Sequence, residues 1–127
     1  MKRVPEPFAP RTVDKPWGSE LIWAESDRYV GKVLHIERGE QLSYQYHERK
    51  DETIYILSGE LQLEVATPAG PSETIRLRPG QCFHIPPTLR HRMTAITTCD
   101  VLEASTPELD DVVRLSDDYG REGTSTP

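Results

Sequence analysis

Four residues of this chain have the types and spacing to hold a metal ion. Gln45 and His47 stand two apart, so on an extended strand both side chains leave the same face. Glu52 follows five residues beyond His47, across a bend that lets it turn back towards the same point. His91 opens a later strand behind the stiff lead-in Pro86-Pro87. Two imidazoles and one carboxylate make a facial triad suited to one divalent Zn, Mn, Fe or Ni ion, with coordination positions left open for substrate or water. Gln45 would add a neutral oxygen donor as a fourth ligand. The competing reading is a set of surface polar residues flanking a turn, because Glu48-Arg49-Lys50-Asp51 reads as a solvated charge run.

Lys32 is the other residue whose place invites chemistry. Strand parity sets it on the same face as Val30, Leu34 and Ile36, which is apolar. There it could bind a phosphate or carboxylate, or act as an acid with a lowered pKa. Alternatively it lies at a strand edge and reaches out to water. If it is buried it needs a charge partner, and Glu103 is an internal candidate. Trp17 and Trp23 read as core or dimer-contact residues rather than ligand platforms.

The elements that must position these groups are short strands. Apolar alternation predicts strands at Glu20–Trp23, Tyr29–Ile36, Gln41–Tyr46, Thr53–Leu57, Leu61–Val65, Thr74–Leu77, Cys82–Ile85, His91–Ile96 and Val101–Ser105. Arg38-Gly39-Glu40, Ser58-Gly59-Glu60 and Arg78-Pro79-Gly80 punctuate them as turns. Met1 to Arg11 reads as irregular, so the division expected is an arm over 1–12, a barrel over 13–107 and a tail over 108–127 packing on or near the barrel. In that tail Leu109, Val112 and Val113 stand at helical spacing, which predicts a short C-terminal helix. Tyr44, Tyr46 and Tyr55 on exposed alternate faces suggest a partner surface and a homodimer.

At 127 residues there is room for one domain and one core. The net charge of −6 argues against nucleic-acid and anionic-membrane partners. No apolar run approaches membrane length and three prolines interrupt the first ten residues, so a cytoplasmic protein is expected. Cys82 and Cys99 lack metal-site spacing and are expected to be buried thiols.

The glycines connect these observations to a family. Gly39, Gln45, His47, Glu52 and Gly59 in that spacing resemble the first cupin motif, and Gly80, Pro86 and His91 resemble the second. The usual first histidine is Gln45 here, and the glycine before the second motif's histidine is Thr88. Within cupins the chain is similar to the cupin domain of type II phosphomannose (mannose-6-phosphate) isomerases and their short stand-alone relatives. That similarity rests on Lys15-Pro16-Trp17-Gly18-Ser19-Glu20, on Leu42-Ser43-Tyr44-Gln45-Tyr46-His47, and on Asp110-Asp111-Val112-Val113-Arg114 through Tyr119-Gly120-Arg121. Lys50 and Thr53-Ile54 stand where that family has an arginine and a His-Trp pair.

The resemblance implies an all-β, single-domain cupin (a double-stranded β-helix, or jelly-roll barrel). It also implies a metal-dependent aldose–ketose isomerase acting on a sugar or sugar phosphate. On this reading Glu103, at a position where relatives have glutamate, is a base beside the metal or a partner fixing a histidine. Lys32 would hold the substrate's anionic group. Two other classes stay open: an Fe(II)-dependent dioxygenase acting on a small organic substrate, and a non-catalytic metal-stabilised sugar-binding or sensor module.

Overall fold

The computed structural model describes residues 4–108 and 110–124. Twelve strands occur among them: β1 (Arg11–Lys15), β2 (Gly18–Glu25), β3 (Val30–Ile36), β4 (Tyr44–Tyr46), β5 (Glu52–Ser58), β6 (Leu61–Ala66), β7 (Glu73–Leu77), β8 (Cys82–Ile85), β9 (Arg90–Ala95), β10 (Cys99–Ser105), β11 (Val113–Ser116) and β12 (Gly123–Thr124). Alternation decides which side faces in. Glu52, Ile54 and Ile56 of β5 are buried while Thr53, Tyr55 and Leu57 are exposed. Leu61, Leu63 and Val65 of β6 and His91, Met93 and Ala95 of β9 repeat the pattern.

The strands make two six-stranded antiparallel sheets. One runs β1-β2-β3-β10-β5-β8, the other β12-β11-β4-β9-β6-β7. Their inner faces enclose an apolar core that includes Ile36, Ile54, Ile56, Leu61, Leu63 and Ile85, all fully buried. Packing two sheets face to face buries the inward half of every strand, and this fold keeps its polar inward residues at one end of the sandwich. The tight β5–β6 turn needs Gly59. It has φ 82°, and a Cβ there would overlap the Thr98 carbonyl oxygen.

Several expectations need correction. The arm ends earlier than position 12, because Arg11 and Thr12 already pair with Ile22 and Leu21. Described residues beyond Pro107 form no helix. Val113 lies on β11, which pairs with β4, and Leu109 lies outside the described residues. Val112 and Arg114 are buried and Val113 between them is half-buried, so this stretch follows the two-residue period of a strand. The strand expected over Gln41–Tyr46 is regular only from Tyr44, with a single bridge from Gln41 to Thr94 before it.

Cys99 is buried, but Cys82 is exposed because it lies on the edge strand β8, where it pairs opposite the outward Tyr55. Trp17 belongs to the core, whereas Trp23 is 46% exposed and lies over Gly31. Tyr44 and Tyr46 sit on one sheet and Tyr55 on the other. No helix of the described residues is long and apolar enough to cross a membrane.

Candidate metal centre

His47, Glu52 and His91 arrive from three places in the chain and meet in the interior. Glu52 is the first residue of β5, His91 the second of β9, and His47 follows β4 directly. Each is at most 4% exposed. One ligand atom from each lies within 4.8 Å of the others. Glu52 Oε1 is 3.2 Å from His47 Nε2 and 3.4 Å from His91 Nε2.

The far side of each imidazole fixes its tautomer. His47 Nδ1 donates to the Asp111 carbonyl at 2.5 Å and His91 Nδ1 donates to the Leu89 carbonyl at 2.9 Å. A carbonyl only accepts, so both protons sit on Nδ1 and both Nε2 lone pairs point inward. His91 Nε2 is buried without a hydrogen-bond partner. Two such lone pairs beside a carboxylate, shut away from water, make an arrangement that a divalent cation satisfies and that neutral packing does not. The donor set therefore fits a metal.

Gln45 projects beside them, because it pairs with His91 across β4 and β9. Its Nε2 is 3.5 Å from His47 Nε2, and its Oε1 accepts from Ser43 Oγ at 2.5 Å. Ser43 is 1% exposed and its hydroxyl can donate or accept, so either orientation of the Gln45 amide is held. Thr88, standing where the second motif has glycine, retains the left-handed backbone at φ 73°. Its amide donates to the His47 carbonyl at 2.7 Å, which ties the Pro86–Leu89 loop to the neighbouring ligand. The loop shape survives the side-chain change.

Behind the ligands lies a buried charge cluster. Lys50 is 6% exposed, so the charge run expected to be solvated is not wholly so. Its Nζ is 3.2 Å from Glu52 Oε2 and 3.2 Å from Glu103 Oε2. Burial works against the ammonium, but the charges of Glu103 and Glu52 outweigh it and hold its pKa above the ordinary value. Burial, with the charge of Glu52 added, pushes the Glu103 carboxyl up. For Glu52 burial acts the same way, yet the charge of Lys50 holds the carboxyl well below its usual range.

Glu103 faces inward directly opposite Lys32, as the register of β10 and β3 requires. Lys32 is 4% exposed and points inside, as its parity predicts, but its Nζ pairs with Glu20 at 3.1 Å rather than with Glu103.

Sequence reasoning missed Asp111. Its carboxylate accepts from the amides of Glu48 (3.1 Å), Arg49 (2.6 Å) and Lys50 (2.8 Å), while its carbonyl takes the His47 proton. Burial raises its pKa, but the three amides outweigh that and hold it below the ordinary aspartate value. A group with a depressed folded pKa stabilises the fold above its unfolded pKa, and that contribution is lost as pH falls through the folded pKa. Asp111→Ala is accordingly expected to lower stability in urea at pH 7, with a deficit that shrinks towards pH 3. Alanine keeps the backbone carbonyl that accepts from His47, so the loss falls on the anchoring of the Glu48, Arg49 and Lys50 amides rather than on that histidine's hydrogen bond. A constant deficit at both pH values would refute this role.

A cavity opens beside the centre. Glu20, Lys32, Gln45, His47 and Lys50 line it together with the apolar Trp17, Leu42 and Val112, as do Lys15, Arg114 and Arg121. The last three fall in the opening and closing segments that the sequence singled out, but nothing in their spacing showed that they converge.

The chain is an all-β, two-sheet antiparallel barrel whose interior brings together two histidines and a glutamate that could hold a metal ion, with a glutamine beside them. Comparison with known proteins agrees, since a family model described as "Cupin domain" matches residues 32–104. The chain belongs to the cupin family.

It is 30% identical over 116 residues to mannose-1-phosphate guanylyltransferase of Escherichia coli (strain K12), covering 87% of this chain and 23% of that protein. Xanthan biosynthesis protein XanB of Xanthomonas campestris is 28% identical, covering 87% of this chain and 24% of its own length. The chain thus spans about a quarter of the length of these curated relatives. Among solved structures, KdgF from Halomonas sp. matches with a TM-score of 0.68 at 24% identity, over 76% of this chain and 87% of that one. Oxalate decarboxylase from Bacillus subtilis matches with a TM-score of 0.74 at 14% identity, over 84% and 30% respectively. These two likenesses establish the barrel alone.

Proposed function

We propose that this cupin is a metal-dependent aldose–ketose isomerase acting on a sugar or sugar phosphate. One observation carries the reading: a carboxylate and three ammonium groups face a cavity that also reaches the candidate ligands Gln45 and His47. An isomerisation of this kind takes a proton from the carbon beside a carbonyl and returns it to the neighbouring carbon. It needs a base, and cationic groups near the oxygens that become negative.

His47, Glu52 and His91, with Gln45, would hold the divalent ion, which when bound polarises a carbonyl and its adjacent hydroxyl. Glu20 is the carboxylate that lines the cavity, and we assign it the proton-transfer role, with Lys32 paired to it at 3.1 Å. Lys50 stays charged and stands close to the developing oxyanion. Glu103 does not line the cavity; it and Glu52 hold Lys50 in place, which makes Glu103 a positioning residue on this reading. The similarity to a mannose-1-phosphate guanylyltransferase of Escherichia coli supports an anionic sugar as the substrate.

The test is proton exchange rather than product formation alone. Protein loaded in turn with Zn, Mn, Fe and Ni is incubated anaerobically in D2O with mannose 6-phosphate or fructose 6-phosphate, and with the free sugars. Deuterium entering C1 or C2, followed by NMR and lost in Glu20→Gln, is the expected result. No exchange with any substrate under any metal would overturn the proposal, and oxygen consumption under air would move the reading to an oxygenase.

A further inference from the structure

The cavity's cations are not matched by its acids. Five basic side chains line it, in a protein whose acids outnumber its bases by 21 to 15. Three of the five are neutralised locally: Lys32 by Glu20 at 3.1 Å, Lys50 by Glu52 and Glu103, and Arg121 by Asp117 at 3.0 Å. Lys15 and Arg114 remain, and among the described residues neither has an acidic group within ion-pair distance.

Arg114 is the more telling. It is 8% exposed, and its Nε is buried without a hydrogen-bond partner. A buried donor left unpaired costs about 1–3 kcal/mol, and more when it is charged, so a folded chain keeps one where something else supplies the acceptor.

The sheet fixes where that acceptor would lie. Arg114 on β11 pairs in register with Gln45 on β4, and Gln45 pairs with His91 on β9. Residues paired in this way face the same side, so Arg114, Gln45 and His91 form one inward row. Neighbouring strands are about 4.8 Å apart, which sets Arg114 one strand from Gln45 and roughly 10 Å from His91 along the backbone. Lys15 closes the same corner from the β1–β2 hairpin. Burial, and then the charges of Lys32, Arg114 and Arg121, push the Lys15 ammonium down against the pull of Glu20, as expected where cations crowd together.

We propose that Lys15 and Arg114 form a phosphate subsite, which holds the dianionic end of a small sugar phosphate while its other end lies at the Gln45 and His47 side of the cavity. Two unmatched cations balance a phosphate monoester, which carries about −1.5 to −2 at pH 7, better than they balance a single carboxylate. The guanidinium fork offers paired N–H donors to two phosphate oxygens, and the ammonium adds a compact charge. The inference rests on the proposed reading of this cavity for what happens to the ligand, but phosphate binding can be measured without turnover.

The experiment uses full-length protein stripped of metal by chelator, which is then removed, so that no ion can hold phosphate. Calorimetric titrations at constant ionic strength compare orthophosphate, mannose 6-phosphate, mannose and glucuronate. Wild type is expected to bind both phosphates and to ignore mannose. Lys15→Gln and Arg114→Gln are each expected to weaken phosphate binding at least tenfold, while Arg28→Gln, at an exposed position, leaves it unchanged. Should Arg114→Gln fail to fold by circular dichroism, the half-buried Lys15 decides alone. Absence of phosphate binding by wild type, wild-type affinity in the folded variants, or preference for glucuronate would each overturn the subsite. Phosphate binding without deuterium exchange in the loaded protein would sink the isomerase reading and leave the subsite standing. Exchange with undiminished phosphate affinity in Lys15→Gln would do the reverse.

Discussion

His91→Ala is expected to eliminate stoichiometric metal binding, and His47→Ala to do the same. Each imidazole supplies one inward lone pair and lies within 3.4 Å of the same Glu52 oxygen, so the loss of either leaves one imidazole, Glu52 and the weak neutral donor Gln45. Plasma emission spectrometry on purified protein reads the occupancy directly. Stability gives a second and independent reading. A ligand that binds only the folded state stabilises it by about 2.7 kcal/mol at a hundredfold excess over its Kd. For a domain of this size that corresponds to roughly 10 °C in Tm. Chelator is therefore expected to lower the Tm of wild type by about this amount and to leave both variants where they were. Comparing each protein with and without chelator separates loss of the ion from the cavity that His91→Ala also opens in the core. Equal metal content in all three proteins would remove this site from the molecule.

How much of this was legible in the sequence differs from residue to residue, for physical reasons. Gln45 and His47 share a face because they are two apart on one strand, and no tertiary information is needed to see it. Lys32 was placed inside by the same rule, and it is inside. Lys50 resisted that logic. It sits in a run of four charged residues that looks solvated, and its burial depends on Glu103, 53 residues away on β10. Asp111 resisted it too, since its three acceptor contacts go to amides some 60 residues earlier. The helix expected near Val112 and Val113 was a misread period in a short segment, where β11 is only four residues long and pairing with β4 decides the outcome. Arg114 became meaningful only when that pairing put it in the row with Gln45 and His91. Local periodicity picked out the candidate ligands, and long-range pairing supplied their electrostatic setting.

That setting makes Lys50→Met the most disruptive change expected outside the ligands. Methionine fills much of the same space, so the effect isolates the charge. Lys50 bridges two carboxylates, and all three side chains are at most 7% exposed. Removing one member of a buried ionic group typically costs about 3–5 kcal/mol, because the partners stay behind uncompensated. Here they would also repel each other. The pH dependence follows from Glu103, whose folded pKa burial and the charge of Glu52 already raise. A carboxyl with a raised folded pKa binds more protons folded than unfolded, so stability falls as pH rises from its unfolded pKa to its folded pKa. Without the ammonium that window extends upward. Metal-free Lys50→Met is therefore expected to lose more stability between pH 5 and pH 8 than metal-free wild type, measured by urea denaturation at both values. Adding Glu103→Gln removes one of the two stranded charges and is expected to recover a large part of the loss at pH 8. A Lys50→Met protein within about 1 kcal/mol of wild type at pH 8, below the cost expected for a broken buried pair, would show that Lys50 does not hold the two carboxylates together.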